Sequence, residues 1–254
     1  MKTGGRSGRK QVRKPRLSFE LGELLDRLEV VYGRSRYINR FDPMEELVSC
    51  ILSQNTADAN SFPSFIRLRA AVPDWAEMEL MPVEELELLI KKAGLAKQKA
   101  RSIQAALGAI REKFGMYSLD DLRNWEVEQA RDWLTTIPGV GPKTASIVLC
   151  FALGRDTVPV DTHIHRVGKR LGIFSEGMDA NRAHEVMDLL VEPGQGFRIH
   201  NTLIQHGRQT CMAPIPNCAA CVIRDDCRWF KRVGPEKLRE QMRKKRTGGK
   251  RVSG

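Results

Sequence analysis

The stretch LTTIPGVGPKTASIVL, residues 134–149, places a turn between two apolar runs of helical spacing. Gly139 and Gly141 permit backbone conformations with positive φ and let another chain approach closely. Pro142 suits the first turn of a helix, because its missing N–H is not needed there. The pattern predicts a helix, a tight hairpin and a second helix, with free N–H groups that form a seat for a phosphate. An ordinary helix–helix turn is the alternative interpretation.

Apolar spacing typical of helices extends outward from this hairpin over nearly the whole chain. Pro43 begins one helical run, and Gly94 ends another after two lysines. No segment alternates as a strand would and no repeat is found, so the predicted fold class is all-α. The predicted helices cover residues 19–31, 43–54, 82–94, 97–114, 126–136, 142–153, 162–171, 180–191, 197–208 and 234–246.

The formal net charge of +11 is concentrated at the two ends of the chain. Residues 1–16 contain seven basic residues and no acidic ones, and residues 228–254 contain eleven basic and two acidic residues. Residues 17–227 carry 24 basic and 29 acidic side chains, a net charge of −5. Basic arms attract phosphates without sequence preference, and solvated, disordered ends are the alternative. Any DNA affinity of the body must therefore come from local geometry.

The sequence gives no sign of a membrane protein. It has no signal-peptide hydrophobic segment at its start and no apolar run of the ~18 residues that a membrane span needs. These features predict a cytoplasmic protein with no membrane partner, associated with the nucleoid if it binds DNA. The Arg-rich, acid-free start leaves organelle targeting as an alternative.

Four of the six cysteines fall in the pattern C-x6-C-x2-C-x5-C. Four thiolates can hold either a zinc ion or a [4Fe-4S] cluster. Zinc ribbons usually pair two C-x2-C knuckles, whereas here one C-x2-C lies between two single cysteines, which favours one cuboidal cluster. Cys50 and Cys150 lie in apolar stretches and are predicted to be buried packing residues. The predicted ligands are Cys211, Cys218, Cys221 and Cys227.

Three features, IPGVGPKTA (137–145), VPVDTHIHRV (158–167) and the cysteine pattern, resemble the endonuclease III family of helix-hairpin-helix DNA glycosylases. The resemblance covers about residues 19–227. It implies an all-α fold with a six-helix domain and an iron–sulfur cluster domain, and damaged double-stranded DNA bent across the cleft between them. The implied division is a six-helix domain at 36–155 with the helix-hairpin-helix at about 128–153, an iron–sulfur domain at 18–35 plus 156–230, a basic arm at 1–17 and a basic tail at 231–254.

Lys143 and Asp161 are the catalytic pair that the resemblance implies, spaced as in the family. The positive end of a helix, together with partial burial, favours the neutral amine that can attack sugar C1′ as a Schiff-base nucleophile. From the residues alone, a phosphate-binding lysine is the preferred interpretation, and the resemblance puts the catalytic role first. Asp161 precedes a helical run, so it is also a candidate N-cap, and the two roles are compatible.

The resemblance further implies residues that contact or enter the DNA. Leu95 matches an apolar wedge inserted where a base is extruded, with a small hydrophobic cap after Gly94 as the alternative. The family's polar filler, commonly Gln, aligns with Asn55, while Gln54 lies one place earlier. The remaining predicted DNA contacts are Gly139, Val140 and Gly141 of the hairpin and His163.

These implications predict a bifunctional DNA N-glycosylase and AP lyase of base excision repair. It would act as a monomer, removing oxidised pyrimidines and cleaving the strand 3′ to the abasic site by β-elimination. A monofunctional mismatch or adenine glycosylase is the first alternative, and Lys143 argues against it because those relatives typically lack the lysine. An iron–sulfur DNA-binding or redox-sensing protein without enzymatic activity is the second. The presence of both Lys143 and Asp161 argues against it, since binding needs neither.

Overall fold

The computed structural model describes residues 13–37 and 41–234 and contains helices but no strand in these ranges. The all-α prediction is therefore confirmed. The α-helices are α1 (Leu21–Tyr32), α2 (Pro43–Ser53), α3 (Asp58–Ala71), α4 (Trp75–Leu80), α5 (Val83–Ile90), α6 (Ala96–Phe114), α7 (Val127–Leu134), α8 (Pro142–Ile147), α9 (Thr162–Leu171), α10 (Ala180–Asp188), α11 (Gly196–Gln209) and α12 (Arg228–Val233). Shorter helical turns are the 3-10 helices Lys91–Ala93, Asp120–Asn124 and Cys218–Ala220 and the π-helical turn Val148–Ala152.

The predicted helix at 234–246 and most of the two basic arms lie outside the described residues. Among the helices of the described ranges, none combines the length and the apolar character needed to cross a lipid bilayer.

The chain divides into two compact units. The first, called the hairpin unit, comprises Arg36–Pro159 and Val191–Arg198. The second, called the cysteine unit, comprises Met1–Ser35, Val160–Leu190 and Ile199–Gly254.

One segment that the sequence assigns to the iron–sulfur domain lies with the hairpin unit instead. The ring of Phe197 packs edge-on against Tyr37, with centroids 5.1 Å apart, and against Phe151 at 5.4 Å. The Gly194 N–H donates to the Asp156 carboxylate at 2.7 Å. These contacts explain why residues 191–198, and also residues 156–159, belong to the hairpin unit.

The hairpin unit is built on one apolar core. Helix α2 begins at Pro43, where the Asp42 carboxylate accepts the N–H groups of Met44 and Glu45 at 2.8 and 2.9 Å. Its inward face, spaced at helical intervals, packs with the inward faces of α6 and α8. Each fully buried aliphatic side chain contributes about 1.5–3 kcal/mol to folding. The buried residues of these three helices include Leu47, Ile51, Ile103, Leu107 and Ala145.

The cysteine unit uses aspartate caps and close glycine contacts. Asp161 and Asp179 cap the N-termini of α9 and α10. Gly168 within α9 lies against Phe174, and a Cβ added there would meet the ring at 2.3 Å. Helix α1 contacts α11 through Tyr32, whose hydroxyl lies 2.9 Å from His206 Nδ1 and donates to Thr210, the residue after α11, at 2.7 Å.

Candidate functional site

The two glycines of the hairpin between α7 and α8 differ in backbone conformation. Gly139 has φ 85°, a positive value that glycine permits. Gly141 has φ −92° and ψ 172°, so it does not use this freedom and is the extended N-cap of α8. Val140 points inward, with 4% of its surface exposed, and its N–H donates to Ile137 O at 3.0 Å. Its predicted contact with DNA remains a prediction.

The hairpin presents exposed backbone N–H groups. Gly139 and Gly141 are both exposed, and in the described part of the chain neither N–H has an acceptor. Helix α8 begins at Pro142 without any side-chain cap. Exposed, unpaired amides close together in a turn before a helix form a seat for an anion. The hairpin can therefore hold a phosphate although the body of the chain is net acidic.

The two hairpin glycines allow a matched test by alanine substitution. At Gly139, a Cβ would meet the Ser102 side chain at 2.6 Å, and a positive φ costs an L-residue about 1–2 kcal/mol. At Gly141, an added Cβ meets nothing within 4 Å. We expect Gly139→Ala to lower Tm by about 3 °C or more and Gly141→Ala to leave Tm unchanged while weakening DNA binding. Calorimetry and fluorescence anisotropy measure both. Equal Tm values for the two variants would contradict the geometry.

Lys143 is the second residue of α8 and its side chain is exposed. The partial burial expected from the sequence is therefore not found. Its neighbour Thr144 is buried, and the Thr144 hydroxyl lies 3.4 Å from Gln54 Nε2. The Lys143 side chain therefore lies at the protein surface, in the first turn of α8, just before the buried residues of that helix.

The loop after α2 contacts the hairpin directly. Gln54 Nε2 donates to Gly139 O at 2.8 Å, so Gln54 is held against the hairpin backbone. Asn55 follows it, exposed and with φ 54°. The two candidate filler residues therefore have different surroundings, one bound to the protein and one presented outward.

Leu95 lies in the turn before α6, with φ 49° and ψ 34° and 57% of its surface exposed. In the described ranges, the non-glycine residues with positive φ are Asn55 and Leu95. A conformation of this kind costs on the order of 1–3 kcal/mol and persists only where the surroundings impose it. An exposed leucine held under strain fits an insertion role better than a packing role.

A buried lysine that the sequence reasoning missed is bonded to the segments that carry Asn55 and Leu95. Lys99 of α6 is 3% exposed, and its Nζ donates to Leu52 O, Thr56 Oγ1 and Ala93 O at 2.6, 2.7 and 2.8 Å. Burial lowers the pKa of Lys99. The available signal was position, since Lys99 is four residues before the buried Ile103 and so lies on the inward face of α6.

Asp161 begins α9 in the cysteine unit. Its Oδ1 accepts the Ile164 N–H at 2.8 Å, so the predicted N-cap is confirmed. Within this unit its Oδ2 has no hydrogen-bond partner among the described residues. His163 of the same helix lies 3.2 Å from Arg166 through its Nδ1. The cap fixes one carboxylate oxygen and leaves the other without a bond within this unit.

The four predicted ligand cysteines line a single cavity in the cysteine unit. Across residues 13–37 and 41–234, no group of three or more His, Cys, Asp or Glu side chains is arranged to hold a metal ion directly. Burial, with the neighbouring cysteines, raises the thiol pKa of Cys218 to about 12 and of Cys221 to about 11. The Cys227 thiol pKa is raised mainly by burial. The donor set fits an electropositive group that replaces the thiol protons.

Arg170 supplies positive charge beside these sulfurs. Its Nη1 donates to Cys211 Sγ at 3.3 Å and to Cys211 O at 3.1 Å, and its guanidinium lies 5.1 Å from the Trp229 ring centroid. Cys227 Sγ lies 3.3 Å from Arg170 O. A guanidinium held in this way stabilises negative charge on thiolates, as outer residues do around metal sites. Cys50 and Cys150 are buried away from this set, as predicted.

The sequence of this chain is similar to a protein-family model and to several known proteins. Residues 48–194 match the family model described as the HhH-GPD superfamily base excision DNA repair protein. Endonuclease III of Escherichia coli K12 is 34% identical over 198 residues, covering 77% of this chain and 88% of that protein. A putative DNA glycosylase of Arabidopsis thaliana is 33% identical over 187 residues, or 72% of this chain, and the match spans 64% of that relative's length.

Among solved structures, a trapped endonuclease III–DNA covalent intermediate, an estranged-adenine complex, superposes with a TM-score of 0.68. The sequence identity is 30%, and the match covers 84% of this chain and 96% of that one. This chain therefore has the fold of endonuclease III, and the hairpin, the Asn55 and Leu95 loops and the cysteine cavity belong to it.

Proposed function

The chain belongs to the HhH-GPD superfamily of base excision DNA repair proteins, and on that premise we propose that it is a bifunctional DNA glycosylase and AP lyase of the endonuclease III type. Its substrates are oxidised pyrimidines and abasic sites in double-stranded DNA. The observation that carries the proposal is the exposed Lys143 directly after a hairpin with unpaired amides. A monofunctional glycosylase needs no such amine.

Lys143 is the nucleophile of the proposed reaction. Its neutral Nζ forms a bond to sugar C1′ while the bond from C1′ to the base breaks, and the base leaves with a proton. The sugar ring opens to a protonated imine. Loss of a C2′ proton then breaks the C3′–O bond, which releases the 3′ part of the strand with a 5′ phosphate. Water hydrolyses the imine and restores the amine together with an unsaturated aldehyde on the other fragment.

Asp161 assists this chemistry as a carboxylate. A negative charge favours the cationic sugar that forms as the base leaves, and a carboxylate can accept the proton of the attacking amine. The capped Oδ1 fixes the group and Oδ2 serves as the acceptor. The support for this role is the cap geometry together with the position of Asp161 in the family motif.

The hairpin and the loops hold the DNA in the proposed complex. The amides of Gly139 and Gly141 bind one phosphate. A contact with the phosphate backbone does not depend on the base sequence. Leu95 enters the space opened by extrusion of the damaged nucleotide, and Asn55 fills the rest of the stack. Gln54 serves by holding the loop to Gly139 O. His163 lines the DNA-binding face of its own unit.

The function is tested on the purified full chain with two short duplexes, one carrying an abasic site and one carrying thymine glycol. We expect strand cleavage on both, with the unsaturated aldehyde on the 3′ end of the product. Release of a base without cleavage would instead show a monofunctional glycosylase. Binding of both duplexes without any reaction would show a non-enzymatic DNA-binding protein. We propose the cytoplasm, at the nucleoid, as the location where the protein would meet this DNA substrate.

The cysteine cavity holds a [4Fe-4S] cluster in this proposal, ligated by Cys211, Cys218, Cys221 and Cys227. When bound, the cluster cross-links this segment and so stabilises its fold. Arg170 balances its negative charge through the contact with Cys211 Sγ. The cluster takes no part in base removal, because four protein thiolates leave no ligand position open to substrate.

Metal content tests the cluster directly. Protein purified without oxygen from an iron-replete host should contain about four irons per chain and absorb broadly near 400 nm. Cys218→Ser should lower the iron content and the Tm, because one ligand of a folded unit is lost. Cys150→Ser, which alters a buried cysteine outside the cavity, is the control and should keep its iron. One zinc ion per chain without iron would contradict the proposal.

A further inference from the structure

Lys99 joins two segments through its ammonium group. The group has three N–H donors and no acceptor, and it meets three acceptors at hydrogen-bond distance. Leu52 O belongs to the last turn of α2, and Ala93 O ends the 3-10 helix Lys91–Ala93. Carbonyl groups at helix C-termini lack partners within the helix and attract cations. Lys99 therefore caps two helix ends at once.

Thr56 is the second member of this contact. Its hydroxyl accepts from Lys99 Nζ at 2.7 Å and donates to Ala93 O. The Thr56 N–H donates to Ser53 O at 3.2 Å, which keeps the turn after α2 closed. One hydroxyl thus connects the loop after α2 with the loop before α6.

The strained residues are the neighbours of these bonded groups. Asn55 precedes Thr56, and Leu95 lies two residues after Ala93. The Lys99 N–H also donates to Leu95 O at 3.0 Å, so the same residue binds the strained turn through its backbone. Gln54 continues the series to the hairpin by its bond to Gly139 O. Hairpin, filler loop and wedge loop are therefore one hydrogen-bonded assembly within the hairpin unit.

We propose that Lys99, with Thr56, is a positioning residue that fixes the Asn55 and Leu95 loops in register for entry into the DNA duplex. The proposal rests on the proposed function and adds a role for a side chain that does not contact DNA. The positive φ of Leu95 fits this role, since a leucine keeps such a conformation only where the surrounding structure imposes it, and Asn55 is of a residue type that adopts a positive φ readily. Without the bridge, both loops relax and the wedge is presented in many orientations.

The test compares thymine glycol in a duplex with the same lesion in a single strand. A wedge matters only where stacking must be broken, so the ratio of kcat/KM on duplex to kcat/KM on single strand reports its placement. We expect Lys99→Met to lower this ratio at least about tenfold while the rate on single strands changes little. Equal losses on both substrates would indicate a folding role and overturn the proposal.

Matched variants separate position from charge and from folding. Lys97→Met removes the same charge from an exposed site on α6, and a loss as large as that of Lys99→Met would overturn the proposal. Thr56→Val removes the hydroxyl at constant shape and should lower the ratio, whereas Thr56→Ser should retain it. This pair keeps the test valid if Lys99→Met fails to fold.

Coupling to the wedge completes the experiment. Leu95→Ala should lower the ratio by itself, and adding Lys99→Met should then lower it by less than Lys99→Met does alone, because both changes affect the Leu95 wedge. Additive losses would contradict a shared role. If the wild-type chain acts on neither substrate, the proposed function fails by itself. Amide hydrogen exchange then still decides the inference, since faster exchange at Thr56 and Gly94 in Lys99→Met supports the bridge and unchanged exchange overturns it.

Discussion

Replacing Lys143 by alanine is expected to abolish the covalent adduct that borohydride traps between this protein and an abasic duplex. Borohydride delivers hydride to the C=N bond of the imine and makes it a stable amine, so trapping needs an amine already bonded to C1′. Lys143 is the amine that the proposed reaction places at that carbon. Denaturing gel electrophoresis of the reduced mixture measures the adduct directly.

The same substitution should leave folding and DNA binding in place. Lys143 is exposed in the first turn of α8, and alanine is a good helix former, so the free energy of unfolding should change by less than about 0.5 kcal/mol. Binding to a duplex with a tetrahydrofuran abasic analogue should persist, because in the proposed complex the hairpin amides hold the phosphate. Lys113→Ala, which alters an exposed lysine of the same unit, is the control and should trap normally. A normal adduct from Lys143→Ala would return this residue to the role of a phosphate-binding lysine.

The positions that could be predicted from the sequence are those where local chemistry decides the backbone. Pro142 begins α8 and Asp161 caps α9 as predicted, because both effects involve only the neighbouring residues. The two hairpin glycines differ in backbone conformation for the same local reason. Positive φ at Gly139 belongs to the turn itself, whereas Gly141 is an N-cap, for which extended φ and ψ are usual.

Helix α3 (Asp58–Ala71) is absent from the sequence prediction, and its composition explains why. Pro63 lies inside it, and two positions of its buried face are Ser61 and Ser64 rather than apolar residues. The Ser64 hydroxyl is satisfied within the helix by Asn60 O at 2.7 Å. Serine buried in this way looks polar in a hydrophobic pattern, so tertiary packing decides the helix and periodicity does not.

The Lys99 bridge shows a second limit of the sequence. The wedge position Leu95 can be located by its resemblance to the family motif, but its strained φ and its support cannot. The acceptors Leu52 O and Ala93 O are backbone atoms from two other segments. Every residue has a backbone carbonyl, so the residue types at these positions do not reveal that a lysine binds there. The lysine on an inward helix face was the available sign.

Replacing Asp161 by asparagine is expected to slow base release by roughly 100-fold or more. The change removes the negative charge that favours the cationic sugar and the acceptor for the amine proton. Asparagine keeps an oxygen that can accept the Ile164 N–H and is as good an N-cap as aspartate. The free energy of unfolding should therefore fall by less than about 1 kcal/mol. Single-turnover release of thymine glycol from a duplex measures the rate.

The cysteine unit contains a matched control for this substitution. Asp179 caps α10 in the same way, with Oδ1 accepting the Arg182 N–H at 2.9 Å. Asp179→Asn removes one negative charge from an equivalent cap in the same unit, so it reports the effect of cap charge on stability and on general DNA affinity. We expect its rate of base release to stay within about twofold of wild type, since it has no reacting group to assist. If both variants slow base release equally, Asp161 is a helix cap and no more. If only Asp161→Asn slows it, the carboxylate of Asp161 acts on the substrate in addition to capping the helix.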